Sequence, residues 1–216
     1  MMTVKTIRPF DPGWAGEYAR EAARWRIALA PLSVIINHIG STSVEGLVAK
    51  PVVDILIQIT ELKNIDDRTI QLEDMGYDAR GEYGIVGRRY FSKTLDAGIV
   101  AGFHVHAFEK GSFQAKRHIA FRDCMRVRPD LAKAYSELKR SIADRGGQLP
   151  SDYADRKKKF VDLIADAAVL QLDSMGICKS IALYKNPNVG KDELEIAYHD
   201  QWVEALENQA VRLGKR

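Results

Sequence analysis

Asp54 is the only charge in the apolar run Val52–Ile59 (VVDILIQI). An ionised carboxylate in such a stretch is costly unless it is paired, bound to a metal or open to a cleft. Just upstream, His38-Ile39-Gly40-Ser41-Thr42-Ser43 sets a glycine–hydroxyl turn at the end of a second apolar run, VIINHI. Such a turn offers close backbone approach, free N–H groups and hydroxyl donors, all suited to phosphate oxygens. Asp54 on the next strand could then hold the divalent ion, Mg, Mn or Zn, that accompanies those phosphates. The plain alternative is a tight turn, with Asp54 satisfied by backbone or by an arginine.

Two further groups could share that chemistry. His104-Val105-His106 puts both imidazoles on one face of a strand. Such a pair suits metal ligation or phosphate contact, against the alternative of two surface or core histidines. If their strand neighbours that of Asp54, as the family resemblance given below implies, the three form the expected catalytic and metal-binding set. Lys50, Arg88, Arg89, His118, Arg122 and Lys157 are basic residues that, by the family resemblance given below, are expected to join Gly40, Ser41 and Thr42 in holding the ligand. Arg88 and Arg89 must point to opposite faces of a strand, so only one reaches a cleft. His118 and Arg122, four apart on a helix, share a face, and the arginine fork fits phosphate or carboxylate. Other charges, including Arg156-Lys157-Lys158-Lys159, read as solvated helix surface, and Arg122 could simply pair with Asp123 or Asp155.

The elements that must position these groups follow from periodicity. Asp11-Pro12 opens a helix whose Trp14, Tyr18, Trp25 and Leu29 recur on one side, and Pro31 limits it. Val34–Ile39 and Val52–Ile59 are predicted strands, being short and β-branched. Ile65–Met75 reads as a helix stopped by Gly76. Gly87–Thr94 and Ile99–Phe108 read as strands of a hairpin turning at residues 95–98. Helices follow from Phe113 to Pro129, from Asp130 to Ala143, and from a Ser151-Asp152 cap to about Leu172. The predicted class is α+β: a small mixed sheet with helices gathered on one side. The domain is expected over 1–172, with 173–216 as a C-terminal, mostly helical extension. There Leu194, Ile196, Trp202 and Leu206 suggest docking on the domain or on a second copy.

Composition narrows the class. The 216 residues carry 32 Lys+Arg and 29 Asp+Glu, a net charge of +3, with 46% hydrophobic and 28% charged residues. That is globular composition, too weakly basic to indicate a nucleic-acid surface on its own. Cys124 and Cys178 fit neither a disulfide framework nor zinc spacing. The charged start, with no run of about 20 apolar residues, leads us to expect no signal peptide or membrane span and a cytoplasmic protein.

The stretch HIGSTSVEGLVAKPVVDILI resembles the signature of the GrpB family, within the nucleotidyltransferase-like superfamily. The resemblance continues through Gly87–Phe91, His104–His106 and His118–Asp123 to Tyr153, Lys157 and Phe160, covering about residues 7–170. Glu45 departs from it, standing where proline is usual. The resemblance implies a mixed sheet flanked by helices, with Gly40-Ser41 opening the cleft. Active enzymes of that superfamily carry a second acid two residues after the first. Here that residue is Leu56, which cannot ligate metal.

The function expected is therefore a nucleotidyltransferase-like protein binding a nucleotide or other phosphorylated small molecule, with metal-dependent nucleotidyl transfer. The alternative is a non-catalytic module for a phosphorylated ligand or coenzyme, since GrpB-like domains also occur fused to dephospho-coenzyme A kinases. A metal-dependent phosphohydrolase built on Asp54 and the histidines ranks third.

Overall fold

Asp11 Oδ1 accepts the Gly13 N–H at 2.8 Å, and from there α1 (Gly13–Leu29) runs until Pro31 forces the chain to extend. This computed structural model describes residues 6–143 and 153–169. The extension after residue 172, the Gly146-Gly147 stop and the Ser151-Asp152 cap lie outside the described residues.

The strands are β1 (Ile35–Ile39), β2 (Val52–Ile59), β3 (Asp78–Ala79), β4 (Arg88–Thr94) and β5 (Gly102–Glu109). They form one sheet in the order β1-β2-β5-β4-β3. β2 and β5 pair in parallel, and every other neighbouring pair is antiparallel. The mixed sheet, the β4–β5 hairpin and the buried strand VVDILIQI all match expectation. Three details differ. The predicted helix over Ile65–Met75 is split into α2 (Lys63–Asp66) and α3 (Thr69–Asp74). At the break the Thr69 hydroxyl donates to the Asp66 carbonyl at 2.8 Å, competing with the helical ladder. β5 begins at Gly102 rather than Ile99, because Gly102 passes so close to the Lys93 carbonyl that no side chain fits. The two-residue β3 is too short to leave a period in the sequence.

Helices flank the sheet, as the family resemblance implies, and not on one side only, as periodicity suggested. Val53, Ile55 and Ile57 of β2, with Phe103, Val105 and Ala107 of β5, pack against Trp14, Trp25 and Leu29 of α1. On the opposite face Ile39, Leu56 and Phe108 pack against Ala115 of α4 (Phe113–Val127). Both sheet faces carry apolar residues, so both need a cover. Beyond the sheet, α4, α5 (Pro129–Ile142) and α6 (Tyr153–Val169) share a second core built on Phe121, Tyr135 and Phe160. Val44 and Leu47, just after the glycine–hydroxyl turn, insert into that core. The turn is thus clamped between the sheet and the helical layer.

Candidate functional site

Strand register brings the expected residues together. Asp54 pairs with His104 across β2 and β5, and Leu56 pairs with His106. Tyr90 lies opposite His106 on β4, and Ser92 opposite His104. Alternation then puts Asp54, His104, His106, Tyr90 and Arg88 on the face that α4 partly covers. Asp54 Oδ1 stands 3.4 Å from His104 Nδ1 and 3.8 Å from His106 Nε2. The Asp54 and His104 side chains are 29% and 41% exposed, so the pair opens to solvent, while His106 is mostly covered. Burial works against the Asp54 charge, but the contacts from His104 and His106 outweigh it and hold the carboxyl below its usual range.

The glycine–hydroxyl turn lies directly against this carboxylate. Gly40 has φ 69° and ψ −173°, a region open in practice only to glycine. A Cβ there would stand 2.3 Å from Asp54 Oδ2. The three hydroxyls that follow have different tasks. Ser43 Oγ donates to the Gly40 carbonyl at 2.6 Å. Thr42 is buried, with its hydroxyl 3.0 Å from His38 Nε2, so it faces inward rather than toward a ligand, against expectation. Ser41 Oγ accepts from Lys139 Nζ at 3.0 Å. A hydroxyl that accepts from an ammonium keeps its own proton to donate, and Ser41 donates that proton to no partner among the described residues.

Lys139 was not singled out from sequence. It is 1% exposed, donates to the Val48 carbonyl as well as to Ser41, and lies 4.2 Å over the Tyr135 ring. No carboxylate partner stands among the described residues. Burial and the charges of Lys157 and Arg140 push its pKa well down. In the sequence it is one lysine in a charged helical stretch, and only its place on the inner face of α5 distinguishes it. Tyr90 was also passed over, although it shares the face of Arg88 two residues earlier. Its ring lies between Arg88, His104 and His106. Its pKa is pushed up to about 12 by burial and by the Asp54 charge.

The basic set divides. Arg88 is the arginine that faces the cleft side, with Nη1 3.4 Å from His106 Nδ1 and further bonds to the Glu82 and Tyr83 carbonyls. Arg89 points the other way and grips Asp66 through two bonds of 2.6 and 2.8 Å. It ties β4 to α2 and is not a ligand contact. Arg122 is taken up by Asp123 and the His38 carbonyl, a tie between α4 and β1. His118 lies beneath the site, its ring 5.3 Å from that of His106 and its Nδ1 2.7 Å from the Gln114 carbonyl. Lys50 and Lys157 both stand over the Tyr153 ring. Burial and the Lys157 charge lower the Lys50 pKa, and Asp54 partly offsets them.

The divalent ion implied by the superfamily can be tested against these donors. A guanidinium only donates, so the Arg88 contact makes His106 Nδ1 the acceptor and leaves the proton on Nε2. A protonated Nε2 cannot ligate. Among the described residues no group of three His, Cys, Asp or Glu side chains is placed to hold a metal ion. The expected metal set of Asp54, His104 and His106 therefore does not fit as arranged; it is a carboxylate paired to two imidazoles. Nor is there a second acid: Leu56 is fully buried in the cluster with Ile39 and Phe108.

Among the described residues no helix is long and apolar enough to cross a membrane. Comparison with known proteins agrees with the sequence signature. The family model described as GrpB protein matches residues 5–167. UPF0157 protein YqkA of Bacillus subtilis is 34% identical over 152 residues, which cover 70% of this chain and 43% of YqkA. The chain thus spans under half the length of that relative. The crystal structure of conserved protein GrpB from Enterococcus faecalis is 31% identical, with a TM-score of 0.68, covering 76% of this chain and 98% of that one. The Cid1 poly(U) polymerase overlays at a TM-score of 0.45 and 12% identity over 72% of this chain and 50% of its own, too loosely to carry an argument. With a family match over most of its length and a close structural counterpart, the chain belongs to the GrpB family.

Proposed function

We propose that the cleft formed by the Gly40–Ser43 turn, Asp54 and His104 binds a nucleotide or other phosphorylated small molecule. The observation that carries this reading is Lys139, a buried ammonium without an acid among the described residues, whose bond to Ser41 leaves that hydroxyl its own proton to donate. An uncompensated buried cation is expensive in the free protein, and an anion at Ser41 offsets that cost. Lys50 and Lys157 add positive charge nearby. The binding-module reading is favoured over transfer, because Leu56 removes the second acid and Arg88 holds His106 in the non-ligating tautomer.

Nucleotidyl transfer is the second reading, favoured by the position of Asp54 against the turn. Its Oδ1 is held ionised by two imidazoles and could serve as base toward an acceptor hydroxyl. Thermal shift with nucleoside triphosphates and coenzyme A intermediates, with and without Mg²⁺ or Mn²⁺, separates the two readings. Stabilisation without metal that is lost in Ser41→Ala and Lys139→Met agrees with a binding module. Stabilisation that requires metal favours transfer, and none with any phosphorylated compound removes both.

A further inference from the structure

A second concavity lies beside the turn. It is a cavity of about 660 Å³ between the loop at residues 43–46, the end of α4 and the outer stripe of α5. That volume falls within the roughly 300–1,000 Å³ of small-molecule sites. None of Gly40, Ser41, Asp54, His104 and His106 lines it.

Its lining has three features that together describe a ligand. Arg126, Lys133 and Arg140 face it, against Glu45 as the only lining acid among the described residues. Lys133 and Arg140 have no acidic partner among the described residues, whereas Arg126 turns two of its nitrogens to the Ser43 carbonyl and the third to Asp123 at 3.9 Å, so Lys133 and Arg140 are the freer cations. Ser136, on the same stripe of α5, is 4% exposed, and its hydroxyl has no hydrogen-bond partner among the described residues. A buried hydroxyl left unpaired costs about 1–3 kcal/mol, and a ligand oxygen would satisfy it. Phe10 and Met125 supply apolar wall.

We propose that this cavity is a second binding site, for a small organic phosphomonoester. The phosphate would lie among Arg126, Lys133 and Arg140, with an oxygen on Ser136 Oγ and the organic part against Phe10 and Met125. Two or three cations match a phosphate dianion better than a single carboxylate. The site is independent of the cleft proposed above, and each can fail without the other.

Calorimetry on the full chain tests it, with AMP, ribose 5-phosphate and uncharged adenosine as probes. AMP and ribose 5-phosphate are expected to bind and adenosine not. Lys133→Ala/Arg140→Ala, two exposed positions that leave the fold alone, should weaken this binding about tenfold or more, as losing charge-assisted bonds implies. Ser136→Ala should weaken it several-fold. In the Ser41→Ala/Asp54→Asn background, which silences the cleft proposed above, one AMP site that is still sensitive to Lys133→Ala/Arg140→Ala should remain. The inference is overturned if adenosine binds as well as AMP or if neither phosphate binds at millimolar concentration. It is equally overturned if binding survives Lys133→Ala/Arg140→Ala and disappears with Ser41→Ala/Asp54→Asn, which would put the ligand in the Asp54 cleft.

Discussion

Gly40 and Asp54 form a single contact unit: the glycine Cα faces the carboxylate so closely that one added carbon would lie 2.3 Å from Asp54 Oδ2. Each explains the other. Glycine is required because the carboxylate occupies the space of a Cβ, and because φ 69° with ψ −173° is closed to other residues. Asp54 in turn is fixed in place by a backbone wall on one side and by two imidazoles on the other.

Gly40→Ala should therefore do more harm than an ordinary turn substitution. Backbone strain of this kind costs about 1–3 kcal/mol, and the added methyl must also displace the carboxylate. Urea denaturation should show a lower midpoint with an unchanged slope, while Gly46→Ala, in open space, pays only the backbone part. Equal losses at the two positions would show that the contact with Asp54 carries no weight.

Stability should fall between neutral pH and about 4. Burial pushes the pKa of His38 down to about 4 from 6.5. That of His118 is also pushed down to about 4, by burial and by the neighbouring His106. In this window the unfolded chain binds protons that the folded chain refuses, so stability declines as pH falls from 6.5 toward 4. Asp54 acts in the same direction but lower: its depressed pKa contributes stability above its ordinary 3.8, lost only in stronger acid. Urea midpoints at pH 7.5, 5.5 and 4.5 should drop steadily in the wild type and more gently in His38→Gln and His118→Gln. A wild-type curve flat over this range would contradict the burial of these imidazoles as neutral groups.

The sheet and the Asp54–histidine cluster were legible because period-two alternation is a property of adjacent residues. VVDILIQI and FHVHAF each announce a strand, a face and an odd polar member. What alternation cannot supply is the partner across space. Arg88 and Arg89 are equivalent in sequence, and only the Asp66 carboxylate on α2 decides which one leaves the cleft. Thr42 and Ser41 are equally good hydroxyls until His38 claims one and Lys139 the other. Lys139 was invisible for the same reason: its Ser41 partner lies 98 residues away in the chain.

Lys139 gives a signature of ligand binding that no surface lysine would. Its pKa is lowered by burial and like charge, so part of its population releases its proton as pH rises. An anion at Ser41 favours the charged form, and binding above neutral pH should take up protons. Calorimetry of a phosphorylated probe at pH 8.5, in buffers of different ionisation heat, measures that uptake. Lys139→Met should abolish it and weaken binding, whereas Lys133→Ala should leave the uptake in place. Binding with no proton exchange in the wild type would separate Lys139 from the ligand.

Metal binding provides the last and most exacting test, because two residues limit it in different ways. Leu56 removes any second carboxylate, so no more than one divalent ion should bind per site. Arg88 sets the tautomer of His106 through the 3.4 Å contact to Nδ1, leaving only Asp54 and His104 as ready donors. Zinc should therefore bind weakly to the free protein at pH 7.5, two donors being too few to close a tetrahedral shell. Arg88→Met removes the donor while filling similar volume, and frees His106 to move its proton to Nδ1 and present Nε2 to the ion. Changes in the partners of a ligating histidine shift metal affinity by about 10–100-fold, and here the shift should be a gain. His106→Ala in the Arg88→Met background should cancel it. If the wild type already takes up one zinc ion tightly and loses it on His106→Ala, Arg88 does not dictate the tautomer, and Asp54, His104 and His106 form a metal site after all.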